Sequence, residues 1–209
     1  MKKGLFITFE GADGSGKTTQ LNKISEYLIE KGYDVVVTRE PGALDIGQKI
    51  RNILLHHDGI VADRCEMFLF LADRAQHVET LIKPAIQEGK IVLCDRHTDS
   101  TIAYQGYGRG QDIQLLKELN KIAVNNTIPD MTLLFDVSTK TSQERVGKEQ
   151  DRMESSGIEF FERVRDGYLE LQKEMPNRIK IVDANKTIEE VFENTKKLVL
   201  QQIKERQGE

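Results

Sequence analysis

The stretch 9-FEGADGSGKTTQ-20 decides the fold of this 209-residue chain. It follows an apolar run at 5–7 and precedes apolar residues at helical spacing, so we expect it to join a buried strand to a helix. Residues 11–18 fit the pattern G-x-x-x-x-G-K-[ST] in full. Glycines in such a loop let consecutive backbone N–H groups point into one concavity, beside the positive end of the helix dipole. The stretch therefore predicts a site for the phosphates of a nucleoside triphosphate.

Two side chains of this loop have expected roles, and a third raises a question. Lys17 is expected to reach the β- and γ-phosphates of ATP, and the Thr18 hydroxyl to help hold Mg²⁺. Asp13 is unexpected, because a carboxylate aimed into a phosphate site would repel the ligand. It is either a solvated turn residue or a group that serves another ligand. The residues expected to contact ATP are Gly11, Ala12, Asp13, Gly14, Ser15, Gly16, Lys17, Thr18 and Thr19.

The composition predicts one globular α/β domain over residues 1–209. The chain is 38% hydrophobic and 31% charged, and its net charge of −4 gives no basic field for nucleic acid. No apolar run is as long as a membrane span, and the first residues are typical of a buried strand rather than a signal peptide. Two cysteines, Cys65 and Cys94, are interpreted as buried thiols of a cytoplasmic chain. We therefore expect neither a nucleic-acid nor a membrane partner.

Short apolar runs alternate with amphipathic segments along the chain. Strands are predicted at 5–9, 35–37, 91–94, 131–135 and 179–182. Helices are predicted at 18–31, about 64–83, 113–124 with Asp112 as its cap, 158–175, and after the capping box that starts at Thr187. This order predicts a doubly wound, mainly parallel five-stranded sheet flanked by helices, with ligands at the carboxyl ends of the strands. Residues 142–157 are nearly all polar and are interpreted as a short lid.

The phosphate loop by itself does not choose among kinases, GTPases and ATP-driven switches. A GTPase usually carries N-K-x-D for its guanine. The nearest string here is 120-NKIA-123, which lacks the aspartate and falls inside a predicted helix. The GTPase class is therefore disfavoured.

Four further strings fall where a doubly wound sheet ends its strands. They are 38-TREPG-42, 48-QKIR-51, 68-FLFLADR-74 and 95-DRH-97, the last running into 100-STIAYQG-106. Taken singly, the arginines could form surface ion pairs, and Phe68 and Phe70 could be core residues. Several arginines near one phosphate loop make better sense if a second phosphate is held beside ATP, since arginine forks fix the orientation of a phosphate.

Together these strings, in this order over nearly the whole chain, resemble bacterial thymidylate kinase. The resemblance implies the P-loop nucleoside-monophosphate kinase fold, transfer of the γ-phosphoryl group of ATP to dTMP, Mg²⁺ as cofactor, and a homodimer. It implies catalytic roles for Lys17, Asp95, Arg96 and Arg152, with Thr18 and Asp95 near the metal, partly through water. The residues that it implies for dTMP are Asp13, Arg39, Arg51, Phe70, Arg74, Arg96, Thr101, Tyr104 and Gln105.

The resemblance also implies which part of dTMP each of these residues contacts. Arg96 and Arg51, with Arg39 as a further candidate, would hold the monophosphate. Phe70 would stack on thymine and Arg74 would donate to its O4, where cytosine carries an amino donor. Thr101 and Gln105 would contact the base. Tyr104 would pack beneath the sugar and disfavour a ribose, while Asp13 would face the sugar hydroxyl.

Positions 12–15 carry no basic residue, although some members of this family have a catalytic arginine there. The lid must then supply the cation, and Arg145, Lys148 and Arg152 are available, with Arg152 the best match. Each could equally be a solvated charge. Two departures from the family pattern are Ala43, where a second glycine is frequent, and His97, to which we assign no catalytic role.

Three hypotheses remain open on the sequence. The first is a dTMP kinase. The second is another deoxynucleotide or nucleoside kinase of the same fold with a different base. The third is a P-loop switch or ATPase that has no acceptor.

Overall fold

The computed structural model describes residues 4–145 and 157–208. Two helical segments, Asp63–His77 and Thr98–Thr101, continue into π-helical turns at Val78–Ile82 and Ile102–Gly108. The elements in chain order are β1 (Leu5–Glu10), α1 (Lys17–Glu30), β2 (Val35–Arg39), α2 (Asp45–His56), α3 (Asp63–His77), α4 (Lys83–Gln87), β3 (Ile91–Asp95), α5 (Thr98–Thr101), α6 (Ile113–Val124), β4 (Met131–Asp136), α7 (Thr139–Arg145), α8 (Ile158–Glu174), β5 (Ile179–Asp183) and α9 (Ile188–Gln207).

The five strands form one parallel sheet in the order β2-β3-β1-β4-β5. The central strand β1 pairs with β3 on one side and β4 on the other, and Phe9 lies opposite Asp95 in the register. The loop after β1 therefore emerges where the strand order reverses, which is where doubly wound sheets bind their ligands. The predicted fold class is confirmed.

Helices cover both faces of the sheet, which explains why the strand sequences are almost continuously apolar. On one face Ile7 and Phe9 of β1 pack with Leu21 and Ile24 of α1. On the other face Phe6 belongs to a cluster with the π-helical turn after α3. The apolar burial on both sides fixes β1, and with it the start of the phosphate loop.

The predicted strands are confirmed; β2 extends two residues further than expected, and each of the other four extends one residue further. Both predicted helix caps are confirmed as well. Asp112 accepts from the Leu115 amide at 3.0 Å, and Thr187 forms a capping box with Glu190. The helix expected at about 64–83 begins at Asp63, but its α-helical part ends at His77 where the π-helical turn begins.

Two sequence-based interpretations of burial are wrong. Cys65 is exposed near the start of α3, whereas Cys94 is buried as expected. Phe68 is not a core residue, because 56% of its surface is exposed.

Over the part of the chain that the structure describes, no helix combines the length and the apolar character needed to cross a membrane.

Candidate active site

The phosphate loop depends on a glycine at its first position. Gly11 has a φ of 141°, and a Cβ there would lie 2.5 Å from the Phe135 carbonyl oxygen of the neighbouring strand. Only glycine allows both this backbone conformation and this close approach. The helix that follows begins at Lys17, directly after Gly16 at φ 83°. The loop is therefore shaped for backbone N–H groups to face a phosphate, as the sequence predicted.

The Lys17 ammonium lies between two carboxylates at the mouth of this loop. Its Nζ is 3.5 Å from Asp13 Oδ1 and 3.9 Å from Asp95 Oδ1, and the residue is buried. The attraction to these two carboxylates offsets the cost of removing the lysine charge from water. The lysine is thereby held next to the phosphate loop.

Thr18 and Asp95 join the loop to the end of β3. The Thr18 hydroxyl donates to Asp95 Oδ2 at 2.6 Å. Asp95 Oδ1 is buried and has no hydrogen-bond donor among the described residues. A hydroxyl beside an unsatisfied carboxylate oxygen is a ligand pair that suits a hard cation such as Mg²⁺.

A metal at this point would need further ligands from outside the protein. The described part of the chain contains no group of three or more His, Cys, Asp or Glu side chains that could hold a metal ion. Mg²⁺ commonly binds one or two protein groups and completes its shell with phosphate oxygens and water. The site therefore fits Mg²⁺ that arrives with a nucleotide, rather than a metal bound by protein alone.

Arg96 follows β3 and points its guanidinium at the phosphate loop. Its Nη2 donates to Asp13 Oδ1 at 2.7 Å and to the Tyr104 hydroxyl at 3.0 Å. Its Nη1 donates to Ser100 Oγ and to the Tyr168 hydroxyl, both at 3.3 Å. The backbone has a φ of 68°, which is uncommon for a residue other than glycine and often marks a functional position.

The Asp13 carboxylate stays ionised because two cations face it. Burial by itself raises the pKa of Asp13, but Arg96 and Lys17 more than offset this and hold the pKa well below its usual range. Its Oδ2 accepts from the Tyr104 hydroxyl at 3.2 Å. Asp13 is therefore not a solvated turn residue, because its carboxylate is held by Arg96, Lys17 and Tyr104.

A cavity opens beside the loop, with Asp13 in its wall, and encloses about 590 Å³ when its opening to solvent is included. Eight of the nine residues that the sequence assigned to the acceptor line this cavity. Three are arginines, two are aromatic, and the others are polar: Arg51, Arg74, Arg96, Phe70, Tyr104, Asp13, Thr101 and Gln105. A pocket that combines aromatic side chains with convergent polar groups beside a phosphate loop is suited to a second, small ligand.

Arg39 is the exception among the nine. Its exposed side chain lines a different cavity together with Thr18 and Asp95. The structure therefore places Arg39 apart from the Phe70 cavity and on the side of the candidate metal site. Its predicted contact with the monophosphate is not supported by this placement.

Arg74 is almost fully buried, at 1% exposure, and is held from several sides. Its Nε donates to Glu40 Oε2 at 2.8 Å, and its Nη2 donates to the His97 carbonyl at 2.9 Å. Its Nη1 donates to Thr101 Oγ1 at 2.8 Å and to Asn120 Oδ1 at 2.5 Å. The guanidinium plane is thereby fixed at the wall of the cavity.

Glu40 is the buried counter-charge of Arg74. Its second oxygen, Oε1, lies 2.9 Å from Nδ1 of both His77 and His97. Burial raises the pKa of Glu40, but His97 and Arg74 outweigh burial and lower the pKa well below its usual value. Glu40 is therefore ionised, and His97 has a structural position beneath the cavity.

Arg51 is positioned through the turn between β2 and α2. Asp73 Oδ1 accepts from the Gly42 amide at 3.2 Å. Gly42 has a φ of 102°, and a Cβ there would lie 2.8 Å from Arg51 Cδ. Arg51 Nη1 donates to the Pro41 carbonyl at 3.1 Å. Burial and the nearby Glu40 raise the pKa of Asp73 to about 6.

Two residues that support Arg96 were missed by the sequence analysis. Glu10 Oε1 accepts from the His97 amide at 2.7 Å, and its Oε2 accepts from the Ser100 and Tyr168 hydroxyls. Burial, with Asp99 nearby, raises the pKa of Glu10 to about 7. Glu10 could have been identified from the sequence, because it is an acidic residue at the end of an apolar strand. Tyr168 gave no signal, because it comes from α8, far along the chain.

The predicted lid is described only at its two ends. Arg145 Nη1 donates to the Ala184 carbonyl at 3.0 Å, so this guanidinium is directed at the end of β5. Lys148 and Arg152 lie outside the described residues.

Comparison with known proteins places this geometry in a family. The family model described as "Thymidylate kinase" matches residues 9–195. A thymidylate kinase of Maridesulfovibrio salexigens is 47% identical over 210 residues, covering 96% of this chain and 97% of that protein. A thymidylate kinase of Desulfovibrio desulfuricans is 47% identical over 197 residues, covering 90% and 91%. The crystal structure of thymidylate kinase from Ehrlichia chaffeensis is 39% identical, has a TM-score of 0.78, and overlaps 94% of this chain and 98% of that chain.

Proposed function

The chain belongs to the thymidylate kinase family and transfers a phosphoryl group from ATP to dTMP, and we propose how its own residues carry out that reaction. The products are dTDP and ADP. One arrangement carries the proposal: a phosphate loop and a cavity share a wall at Asp13 and Arg96. ATP phosphates occupy the loop, and dTMP occupies the cavity.

Phosphoryl transfer depends on positioning and charge neutralisation, not on a covalent catalyst. Arg96 reaches from the end of β3 toward both ligands, so it holds the dTMP phosphate near the ATP γ-phosphate. Arg51, from α2, is the second arginine that binds the dTMP phosphate. Lys17 neutralises the charge on the phosphates of ATP. Each of these cations is already held by a protein partner, so little reorganisation is required.

Mg²⁺ is proposed as the cofactor, held by Thr18 and, partly through water, by Asp95. The unsatisfied Asp95 Oδ1 supports this assignment. When bound, the metal would neutralise and orient the phosphate oxygens. Arg39 lies on this side of Asp95, so its charge is proposed to act near the phosphates of ATP.

The base and the sugar are proposed to lie deeper in the cavity. Phe70 stacks on thymine, Arg74 donates to O4, and Gln105 contacts the base. Thr101 accepts from Arg74 and so acts mainly by holding that arginine. Cytosine presents an amino donor where thymine has O4, so an arginine donor rejects it.

The sugar is proposed to lie between Tyr104 and Asp13, whose side chains touch across the cavity wall. The Asp13 carboxylate accepts from the 3′-hydroxyl of the nucleotide. The Tyr104 ring takes the space that a ribose 2′-hydroxyl would need, which gives moderate discrimination against ribonucleotides.

The catalytic cation of the lid is proposed to be Arg152, within 142–157. Two observations support looking there: positions 12–15 carry no basic residue, and Arg145 is directed at Ala184. A lid arginine that closes over the γ-phosphate would stabilise developing charge and exclude water. The chain is further proposed to act as one domain over 1–209, as a homodimer in the cytoplasm, in keeping with its family.

A coupled assay of ADP release tests the proposal with dTMP, dUMP, dCMP and dGMP as acceptors. We expect activity that requires an acceptor and is greatest with dTMP. A higher rate with dCMP or dGMP than with dTMP would point instead to a kinase of different base preference, and equal rates with all four acceptors would also contradict the proposed preference for dTMP. ATP hydrolysis that is unaffected by dTMP would point to a P-loop switch. As an independent check, dTMP alone should raise the melting temperature, because it binds the native state.

A further inference from the structure

The side-chain amide of Gln105 is held from behind by a buried carboxylate. Gln105 lies in the π-helical turn after α5, and Glu66 lies in the first turns of α3. Gln105 Nε2 donates to Glu66 Oε1 at 2.9 Å. Only 1% of Gln105 and none of Glu66 is exposed to solvent. The contact is therefore dry, and the choice of donor and acceptor within it matters.

This contact fixes which end of the amide faces the cavity. A carboxylate oxygen accepts hydrogen bonds and cannot donate, so the NH₂ group of Gln105 must face Glu66. A flipped amide would place two acceptor oxygens against each other in a buried site. The Gln105 Oε1 atom has no protein donor among the residues that the structure describes, and Gln105 lines the cavity. Gln105 Oε1 therefore offers a hydrogen-bond acceptor to a ligand in the cavity.

The charge of Glu66 is balanced on its far side. Arg109 Nη2 lies 3.5 Å from Glu66 Oε2, and the Arg109 guanidinium also packs over the Phe160 ring at 4.8 Å. Glu66 thus contacts Gln105 through one oxygen and the Arg109 cation through the other. Glu66 is therefore suited to orient Gln105 permanently.

Arg74 lines the same cavity and carries the complementary group. Four of the five N–H groups of Arg74 donate to described protein acceptors, and the fifth is the second hydrogen of Nη2. Glu40, also buried, keeps this guanidinium in place. The cavity thus offers one fixed donor and one fixed acceptor to a flat ligand beside Phe70.

We propose that Glu66 is a positioning residue for base selection: acting through Gln105, it makes the cavity accept N3–H while Arg74, held by Glu40, donates to O4. This inference rests on the proposed binding of the dTMP base in the cavity. Thymine and uracil present N3–H and O4, whereas cytosine and 5-methylcytosine present a bare N3 and a 4-amino group. A flipped Gln105 would donate to the bare N3 of the second pattern, and Glu66 prevents that flip.

The test compares dTMP with 5-methyl-dCMP, which share the C5 methyl group and differ only at the edge that is read. Glu66→Gln replaces the pure acceptor by an amide that can donate or accept, so Gln105 is free to turn. We expect the kcat/KM preference for dTMP over 5-methyl-dCMP to fall about 10- to 100-fold, the scale of one unpaired buried group. The change should lie in KM for dTMP, with kcat within about threefold and KM for ATP unchanged.

The chain offers a matched control. On the exposed face of α6, Gln114 Nε2 donates to Glu118 Oε1 at 3.3 Å, the same pair of groups in water. Glu118→Gln should leave the preference unchanged. Glu66→Met, similar in length and unable to accept strongly, is measured as a second variant, and its preference should fall in the same way.

Each result decides one claim. A folded Glu66→Gln or Glu66→Met enzyme with the wild-type preference overturns the inference and leaves the proposed function intact. Wild-type enzyme that uses dTMP and 5-methyl-dCMP equally well also overturns it, whatever the variants do. Wild-type enzyme that phosphorylates neither overturns the proposed function itself.

Discussion

The Arg96 guanidinium donates to the Asp13 carboxylate at 2.7 Å, which joins the end of β3 to the phosphate loop. Asp13 also faces Lys17 and the Tyr104 hydroxyl, so one loop side chain contacts groups assigned to both substrates. The carboxylate does not repel the phosphates, because two cations surround it and it faces the acceptor cavity. The acid in the middle of the loop is therefore a group that serves the acceptor.

Asp13→Asn should reduce kcat/KM more with dTMP than with 3′-deoxy-dTMP, by about tenfold. The reason is that a neutral amide is a weaker acceptor for the 3′-hydroxyl, and the deoxy analogue lacks that hydroxyl already. Steady-state kinetics with both acceptors measures the difference. Asp112→Asn is the control, since asparagine also caps a helix. Equal losses with both acceptors would refute the contact with the sugar.

Arg74→Ala should lower both stability and selectivity. Removing the guanidinium leaves Glu40 buried without its arginine, which costs about 3–5 kcal/mol of unfolding free energy. The KM for dTMP should rise, and discrimination against dCMP should relax. Denaturant unfolding and steady-state kinetics measure the two effects separately.

Arg165→Ala is the control for that stability effect. Arg165 makes two hydrogen bonds to Asp136, but its side chain is 37% exposed, so its loss should cost no more than about 1 kcal/mol. If Arg74→Ala instead weakens ATP binding and leaves dTMP unaffected, the base pocket is assigned wrongly.

Arg152→Ala should lower kcat by about 10³-fold if this residue supplies the lid cation. Arg145→Ala should change kcat by less than about threefold, because its guanidinium is directed at the Ala184 carbonyl. The two variants are compared under saturating ATP and dTMP. Wild-type turnover in Arg152→Ala would reject this residue, and a large loss in Arg145→Ala would move the role there.

Glu10 should make the stability of the protein depend on pH. Its pKa is raised from 4.5 to about 7 in the folded state, so the folded protein holds a proton that the unfolded chain releases. This contribution is present in full below pH 4.5 and is lost as the pH rises to about 7, a change of about 3 kcal/mol.

Glu10→Gln removes this titration. The unfolding free energy of the wild type minus that of Glu10→Gln should therefore decrease between pH 5 and pH 8, as measured by urea unfolding at each pH. A difference that stays constant or increases over this range would show that Glu10 is ionised throughout.

The fold was predictable because its signals are local. Apolar runs covered on both faces, the loop pattern at 11–18, and the caps at Asp112 and Thr187 each depend on a few neighbouring residues. The π-helical turns were not predicted, since their residues have ordinary helical character. Cys65 and Phe68 were interpreted as buried, but their helix presents them to solvent, and apolar character alone does not show which face packs.

The sequence predicted most of the residues that line the candidate site, but not the residues that hold them in place. Strings near strand ends identified eight residues that line one cavity. The roles of Glu40, Glu66 and Tyr168 depend on contacts between side chains 34 to 72 positions apart, such as Arg74 with Glu40 and Arg96 with Tyr168. No local pattern specifies such pairs. For the same reason, the string that contains Arg39 does not show that this side chain lines a different cavity from the other eight residues.

The central claim is that the loop binds ATP while the cavity beside Asp13 and Arg96 binds dTMP. A crystal structure with dTMP and a non-hydrolysable ATP analogue tests it most directly. We predict the dTMP phosphate on Arg96, thymine against Phe70 with O4 at Arg74 and N3–H at Gln105, and the analogue's phosphates on the loop. Thymine found outside this cavity, or a dTMP phosphate that does not contact Arg96, would contradict the account.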